Sequence, residues 1–102
     1  MIAGAPDRFD ELDATEVLGI RVPVAATTRS RLLGLAFLAR HRAPRGLFLP
    51  RCHSVHTFGM RFPIDVVFFD ADGREIRRVD GLRPRRLVSQ RGSAAVLELP
   101  SP

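Results

Sequence analysis

The sequence predicts an α+β domain: a small, mostly antiparallel, curled or barrel-like β-sheet of about six strands with one packed helix. Three observations carry that expectation. The run IDVVFF, Ile64 to Phe69, is apolar on both faces that a strand presents, which marks a central strand. Asp72-Gly73 follows it closely and is a dipeptide of tight hairpin turns. Outside one stretch, RSRLLGLAFLARH, the apolar residues fall in short runs bounded by Pro or Gly.

Taken in order, residues 1–14 are polar and acidic and read as a loose lead-in, leaving residues 15–102 as a single compact domain. EVLGIRVPVA, Glu16 to Ala25, alternates as one strand, and Pro23 sends it to an edge because it can donate no ladder hydrogen bond. Thr27 and Thr28 suit an N-cap, and Leu32, Leu35, Ala36 and Ala39 then recur at helical spacing. Arg40, His41 and Arg42 crowd the expected last turn before Pro44 and Gly46. Gly34, inside that helix, costs about 1 kcal/mol against alanine, so close contact with another backbone is its expected reason. Strands are expected over Gly46 to Leu49, Cys52 to Phe58, Ile64 to Phe69, Glu75 to Val79 and Ala94 to Leu99.

With 102 residues the chain can bury a modest core. No apolar run approaches the length of a membrane span, and the first residues lack the basic and apolar regions of a secretory signal. One cysteine forms no internal disulfide, so a reducing, cytoplasmic setting is expected. The net charge of +5 raises nucleic acid as a partner. All 16 basic residues are arginine, however, and they are spread along the chain rather than gathered on one stretch. Lysine, asparagine and tyrosine, the residues of AT-rich codons, are absent, so the basicity partly reflects codon usage. Nucleic-acid binding is therefore not the expected function.

The chemistry-bearing stretch is PRCHSVHTFGMRFPIDVVFFD, Pro50 to Asp70. Cys52, His53 and His56 offer at most three metal ligands from one segment, whereas a structural zinc site takes four. In an extended chain Cys52 and His56 lie ~13 Å apart, too far to share an ion without a bend. No metal site and no cofactor motif is assigned. Ser54 and His56 share a strand face and could form a nucleophile and base, but no oxyanion-hole motif accompanies them. Asp65, set in an apolar strand, must find partners, since an unpaired buried carboxylate costs several kcal/mol. His56, Arg61, Arg31 and the amides near Gly59 are its candidates. Asp65 could thus orient His56 or simply tie the FGMRF turn to the sheet.

The order of these blocks, RSRLLGL, RGLFL, HTFGMRFPIDVVFFDADGREI and AAVLELP, resembles a small family, the domain of unknown function family 192 (DUF192). The resemblance covers Val22 to Pro100. Many members of the family look like they carry an aromatic-Met-Lys-Asn-Thr block, whereas His56-Thr57-Phe58-Gly59-Met60 is similar to a His-Thr-containing subgroup, so no role of that Lys or Asn carries over. What the resemblance implies is a β-rich domain with one helix against a curled sheet, and no activity. Three functions follow from the residues. The first is a non-enzymatic binding module for a small anionic ligand or a peptide, using Arg31, His56, Thr57, Arg61 and Asp65. The second is a hydrolase with His56 as base, oriented by Asp65, with Ser54 nearby. The third is a metal-binding domain through Cys52, His53 and His56.

Overall fold

The strand Ile64–Phe69 lies inside a four-stranded antiparallel sheet, as its two apolar faces require. The computed structural model of the protein describes Phe9 and residues 12–102. In chain order its strands are β1 (Ala14–Val17), β2 (Ile20–Pro23), β3 (Leu47–Pro50), β4 (Ser54–His56), β5 (Ile64–Phe69), β6 (Glu75–Leu82), β7 (Leu87–Ser89) and β8 (Ala95–Pro100). One short helix, α1 (Thr28–Leu33), and a 3-10 turn over Arg40–Arg42 complete the elements of the described residues. The main sheet runs β3-β8-β5-β6, and β1-β2 and β4-β7 form two separate hairpin-sized sheets. The described strands close no barrel, so the sheets are mostly antiparallel layers rather than a closed cylinder.

Strand alternation divides the core in two. Ile64, Val66 and Phe68 of β5 join Leu47 and Leu49 of β3 and Val96 of β8 in the larger cluster, closed over by Leu35, Ala36, Val55, Met60 and Phe62. Val67, Phe69 and Leu97 form the smaller cluster on the other face, covered by Val22 of β2. Phe68 is wholly buried, and a side chain of this size contributes about 1.5–3 kcal/mol by leaving water. Phe9 and Leu12 of the lead-in are half-buried against the larger cluster, while most of that segment lies outside the described residues.

Two elements depart from the sequence expectation. Glu16 to Ala25 is not one strand. Leu18 and Gly19 both take positive φ, 50° and 79°, and the chain folds back so that Thr15 pairs with Val22. That is the two-residue turn whose twist suits a hairpin, and a leucine in its first position concealed it. The helix is also only six residues long, not thirteen. Its start is as expected: Thr27 Oγ1 accepts from Ser30 N at 3.0 Å, and Ser30 Oγ accepts from Thr27 N at 3.1 Å, a reciprocal capping box. It ends because Gly34 takes φ 48°, and Phe37 N donates to Gly59 O at 2.8 Å instead of to the helix. Arg40–Arg42 therefore form a separate 3-10 turn rather than a last helical turn. β7 was not expected at all; it pairs antiparallel with β4, Val88 opposite Val55.

Candidate functional site: a cavity lined by Arg31, His56 and Glu98

β8 alternates as a strand must. Val96 packs into the larger core cluster and Leu97 into the smaller, so Glu98 returns to the larger side. There it is 4% exposed. Burial pushes its carboxyl up to about 8, so at neutral pH the group mostly keeps its proton. Gly34 accounts for part of this setting. A Cβ at that position would come within 3.0 Å of Glu98 Oε1, so the turn ending α1 can sit against the carboxyl only without a side chain. The neighbour of Gly34 is thus an acidic side chain, met at a positive φ, and not the backbone expected of it.

A cavity of about 310 Å³ lies between α1, the turn after it, β4 and β8. Its chemistry-bearing lining residues are Arg31, Cys52, Ser54, His56 and Glu98, set among apolar neighbours such as Leu49 and Met60. Among the described residues, three buried side-chain polar atoms have no hydrogen-bond partner: Arg31 Nε, His56 Nδ1 and Glu98 Oε1. All three belong to residues of this one cavity. Buried polar groups normally find partners, because each left unsatisfied costs about 1–3 kcal/mol. These three groups therefore stand out together, in one cavity, against the usual rule.

The surrounding bonds fix how these groups are presented. Because α1 is so short, Arg31 stands in its last turn, where a cation suits the helix dipole. Arg31 Nη2 donates to Arg51 O at 2.6 Å, while its buried Nε–H has no partner. His56 Nε2 lies 3.2 Å from Leu32 O; a carbonyl only accepts, so Nε2 carries the proton. Nδ1 is then an acceptor in the neutral ring and a donor in the charged one. The His56 ring stacks on Phe58, with centroids 6.0 Å apart.

The residues expected at a site do not all meet here. Arg31, His56 and Ser54 line the cavity. Asp65 does not orient His56: its Oδ1 accepts from Gly81 N at 2.8 Å and from Ser101 Oγ at 2.7 Å. It sits where the β5–β6 register slips between Ile64 and Val66, and ties that irregularity to the end of the chain. Thr57 is fully buried, and its Oγ1 donates to Arg83 O at 2.6 Å and accepts from Arg86 N at 2.8 Å, holding the loop before β7. Arg61 is exposed on the turn before β5. Cys52 is a buried thiol that donates to Ser54 O at 3.1 Å, while His53 is exposed. Among the described residues no group of three or more His, Cys, Asp or Glu side chains is arranged to hold a metal ion.

Glu98 was missed from the sequence, although a signal existed. It is the one charged residue in AAVLELP, just as Asp65 is in IDVVFF, and the same argument about buried carboxylates applies to both.

The fold has relatives of known structure. A protein of unknown function from Novosphingobium aromaticivorans is 22% identical with a TM-score of 0.66, over 86% of this chain and 70% of that one. A candidate transcription regulator from Sinorhizobium meliloti is 21% identical with a TM-score of 0.70, over 80% and 69% of the two chains. At these identities the likeness concerns the fold alone. No curated protein matches the chain. The model of DUF192, an uncharacterized ACR family, matches residues 11–101. From the hairpin β1-β2 through β8 and its buried glutamate, the chain belongs to the DUF192 family.

Proposed function

We propose that the protein is a non-enzymatic binding module whose cavity beside α1 takes the anionic group of a small ligand or peptide. The cavity that Arg31, His56 and Glu98 share carries the proposal: Arg31 Nε–H and Glu98 Oε1 line it without a hydrogen-bond partner, and His56 Nδ1 becomes a third donor when its ring takes up a proton with the anion. A cationic guanidinium N–H and a neutral carboxyl O–H are both donors, and two donors in an apolar wall complement an oxyanion. The single buried cysteine, without an internal partner, supports a reducing, cytoplasmic setting. No helix of the described residues is long and apolar enough to cross a membrane. The alternative of a hydrolase with His56 oriented by Asp65 gains no support, because both groups are bonded elsewhere.

Thermal unfolding in the presence of acetate, butyrate, citrate and inorganic phosphate tests the proposal. A ligand at tenfold its Kd adds about 1.4 kcal/mol, a rise of several degrees for a domain of this size. Stabilisation by at least one anion, lost in Arg31→Gln and in His56→Ala, is expected. Equal stabilisation of all three proteins would show that the anions act elsewhere on the basic surface.

A further inference from the structure

Four exposed apolar side chains lie on residues that line this cavity or adjoin those that do. Leu32 is 63% exposed, Phe37 68%, Phe58 55% and Leu87 67%. Each is tied to the same place. Leu32 lines the cavity and its carbonyl oxygen faces His56 Nε2. Phe58 stacks on the His56 ring. Leu87 is the direct cross-strand partner of His56, so the two side chains share one face of the β4-β7 pair. Phe37 is bonded through its N–H to Gly59 O, and a Cβ on Gly59 would lie 2.8 Å from its ring. Among the described residues only Leu18 and Ile76 are large exposed hydrophobics away from this rim. Phe37 is held at φ 65°, a conformation unfavourable to a non-glycine residue, yet its ring is left in water. Strain at an exposed aromatic residue beside a cavity suits a contact surface, not a core.

We propose that the occupant is the C-terminal end of a partner polypeptide: its α-carboxylate enters the cavity, and its last apolar side chains cover Leu32, Phe37, Phe58 and Leu87. This rests on the anion-binding function proposed above and names its ligand class. Charge complementarity selects a carboxylate end. The cavity holds Arg31 Nε–H and the carboxyl of a neutral Glu98. Exposed Arg61 follows the cavity residue Met60 in the chain, and exposed Arg85 and Arg86 precede Leu87, their backbone N–H groups bonded to Thr57 O and Oγ1 next to His56. Acidic residues just upstream of the apolar end complement those arginines. A free small acid would fill the cavity but leave the rim in water. A chain that continues outward covers both, with the terminal carboxylate supplying orientation and the rim supplying area.

Fluorescence polarisation with labelled peptide pools tests the assignment. The probe is a hexapeptide pool that begins Asp-Glu, continues with four positions randomised among Leu, Ile, Val and Phe, and ends in a free carboxylate. Its control is the same pool ending in an amide. The free-acid pool is expected to bind about tenfold or more tighter than the amide, the scale of one or two charge-assisted hydrogen bonds. Leu87→Ser and Phe37→Ser, both at exposed positions, should weaken the pool severalfold while leaving the thermal shift with butyrate unchanged. Arg31→Gln should abolish both responses. If butyrate stabilises the protein but the two pools bind alike, or the rim variants bind the pool as wild type does, the peptide assignment fails and the anion site stands. If neither butyrate nor the pool responds to Arg31→Gln, both fail. Rim-dependent binding to phosphatidylglycerol vesicles, or rim-dependent dimerisation, without pool binding would overturn the assignment in favour of a membrane or a second copy.

Discussion

Replacing Glu98 by glutamine should change how stability depends on pH more than any other single substitution. Glu98 is buried, and its pKa rises from an ordinary 4.5 to about 8 because burial penalises the carboxylate. The folded protein therefore keeps a proton that the unfolded chain has released between those two values. Where the native state binds more protons, stability falls as pH rises. At 1.36 kcal/mol per unit, the wild type should lose about 3 kcal/mol between pH 5 and pH 8 through this group alone. That is a large share of the roughly 5–15 kcal/mol that holds a typical domain together. Glu98→Gln keeps the shape and a hydrogen-bonding end but has no proton to lose. Urea unfolding at pH 5, 6, 7 and 8 reads the effect. With an m-value of roughly 1–3 kcal/mol/M, the two proteins should have similar midpoints at pH 5. The variant should then exceed wild type by about 1–3 M at pH 8. Parallel pH profiles for the two proteins would show that Glu98 is hydrated or paired when folded, and would refute the buried neutral carboxyl.

Other substitutions separate framework from site. Asp65→Ala should cost about 1–3 kcal/mol, because Gly81 N and the hydroxyl of buried Ser101 both lose their acceptor; a midpoint shift no larger than that of exposed Asp13→Ala would contradict this. Thr57→Val should cost a similar ~1–3 kcal/mol by leaving Arg83 O and Arg86 N without their side-chain partner, and an unchanged urea midpoint would show that water replaces the hydroxyl. Gly34→Ala should lose about 1–2 kcal/mol from positive φ alone, with more from crowding Glu98 Oε1, whereas a stability equal to wild type would mean that the turn after α1 relaxes freely.

How much of this was legible in the sequence follows from what each signal depends on. β5 was readable because IDVVFF carries its two faces locally, and its turn is spelled out by Asp72-Gly73 with Asp70 Oδ1 accepting from Asp72 N and Arg74 N. The Thr27 cap was readable for the same reason. The helix length was not. Leu35 and Ala36 are buried at helical spacing, but the chain leaves the helix at Gly34, at positive φ, and Phe37 N donates to Gly59 O. That contact is tertiary and has no local trace. β7 escaped notice because three residues, Leu87-Val88-Ser89, make a strand only by pairing with β4. Arg31 and His56 line the cavity, but the carboxyl beside them in its lining is Glu98 and not Asp65. Asp65 lies two positions from Val67 and so points to the face covered by β2, while Glu98 lies two positions from Val96 and points to the cavity. Alternation along each strand holds that distinction, but which face carries the cavity depends on how β4 and α1 close over the sheet.

The most direct test of the anion site is side-chain NMR of the protein labelled with nitrogen-15, titrated with butyrate and with inorganic phosphate. The resonances of Arg31 Nε–H and of the His56 ring should shift together and saturate at one common concentration, with the Arg31 shift absent in His56→Ala or moved to a higher concentration. Shifts that grow without saturation and fall mainly on exposed Arg83, Arg85 and Arg86, leaving Arg31 and His56 unmoved, would contradict an anion site in the cavity.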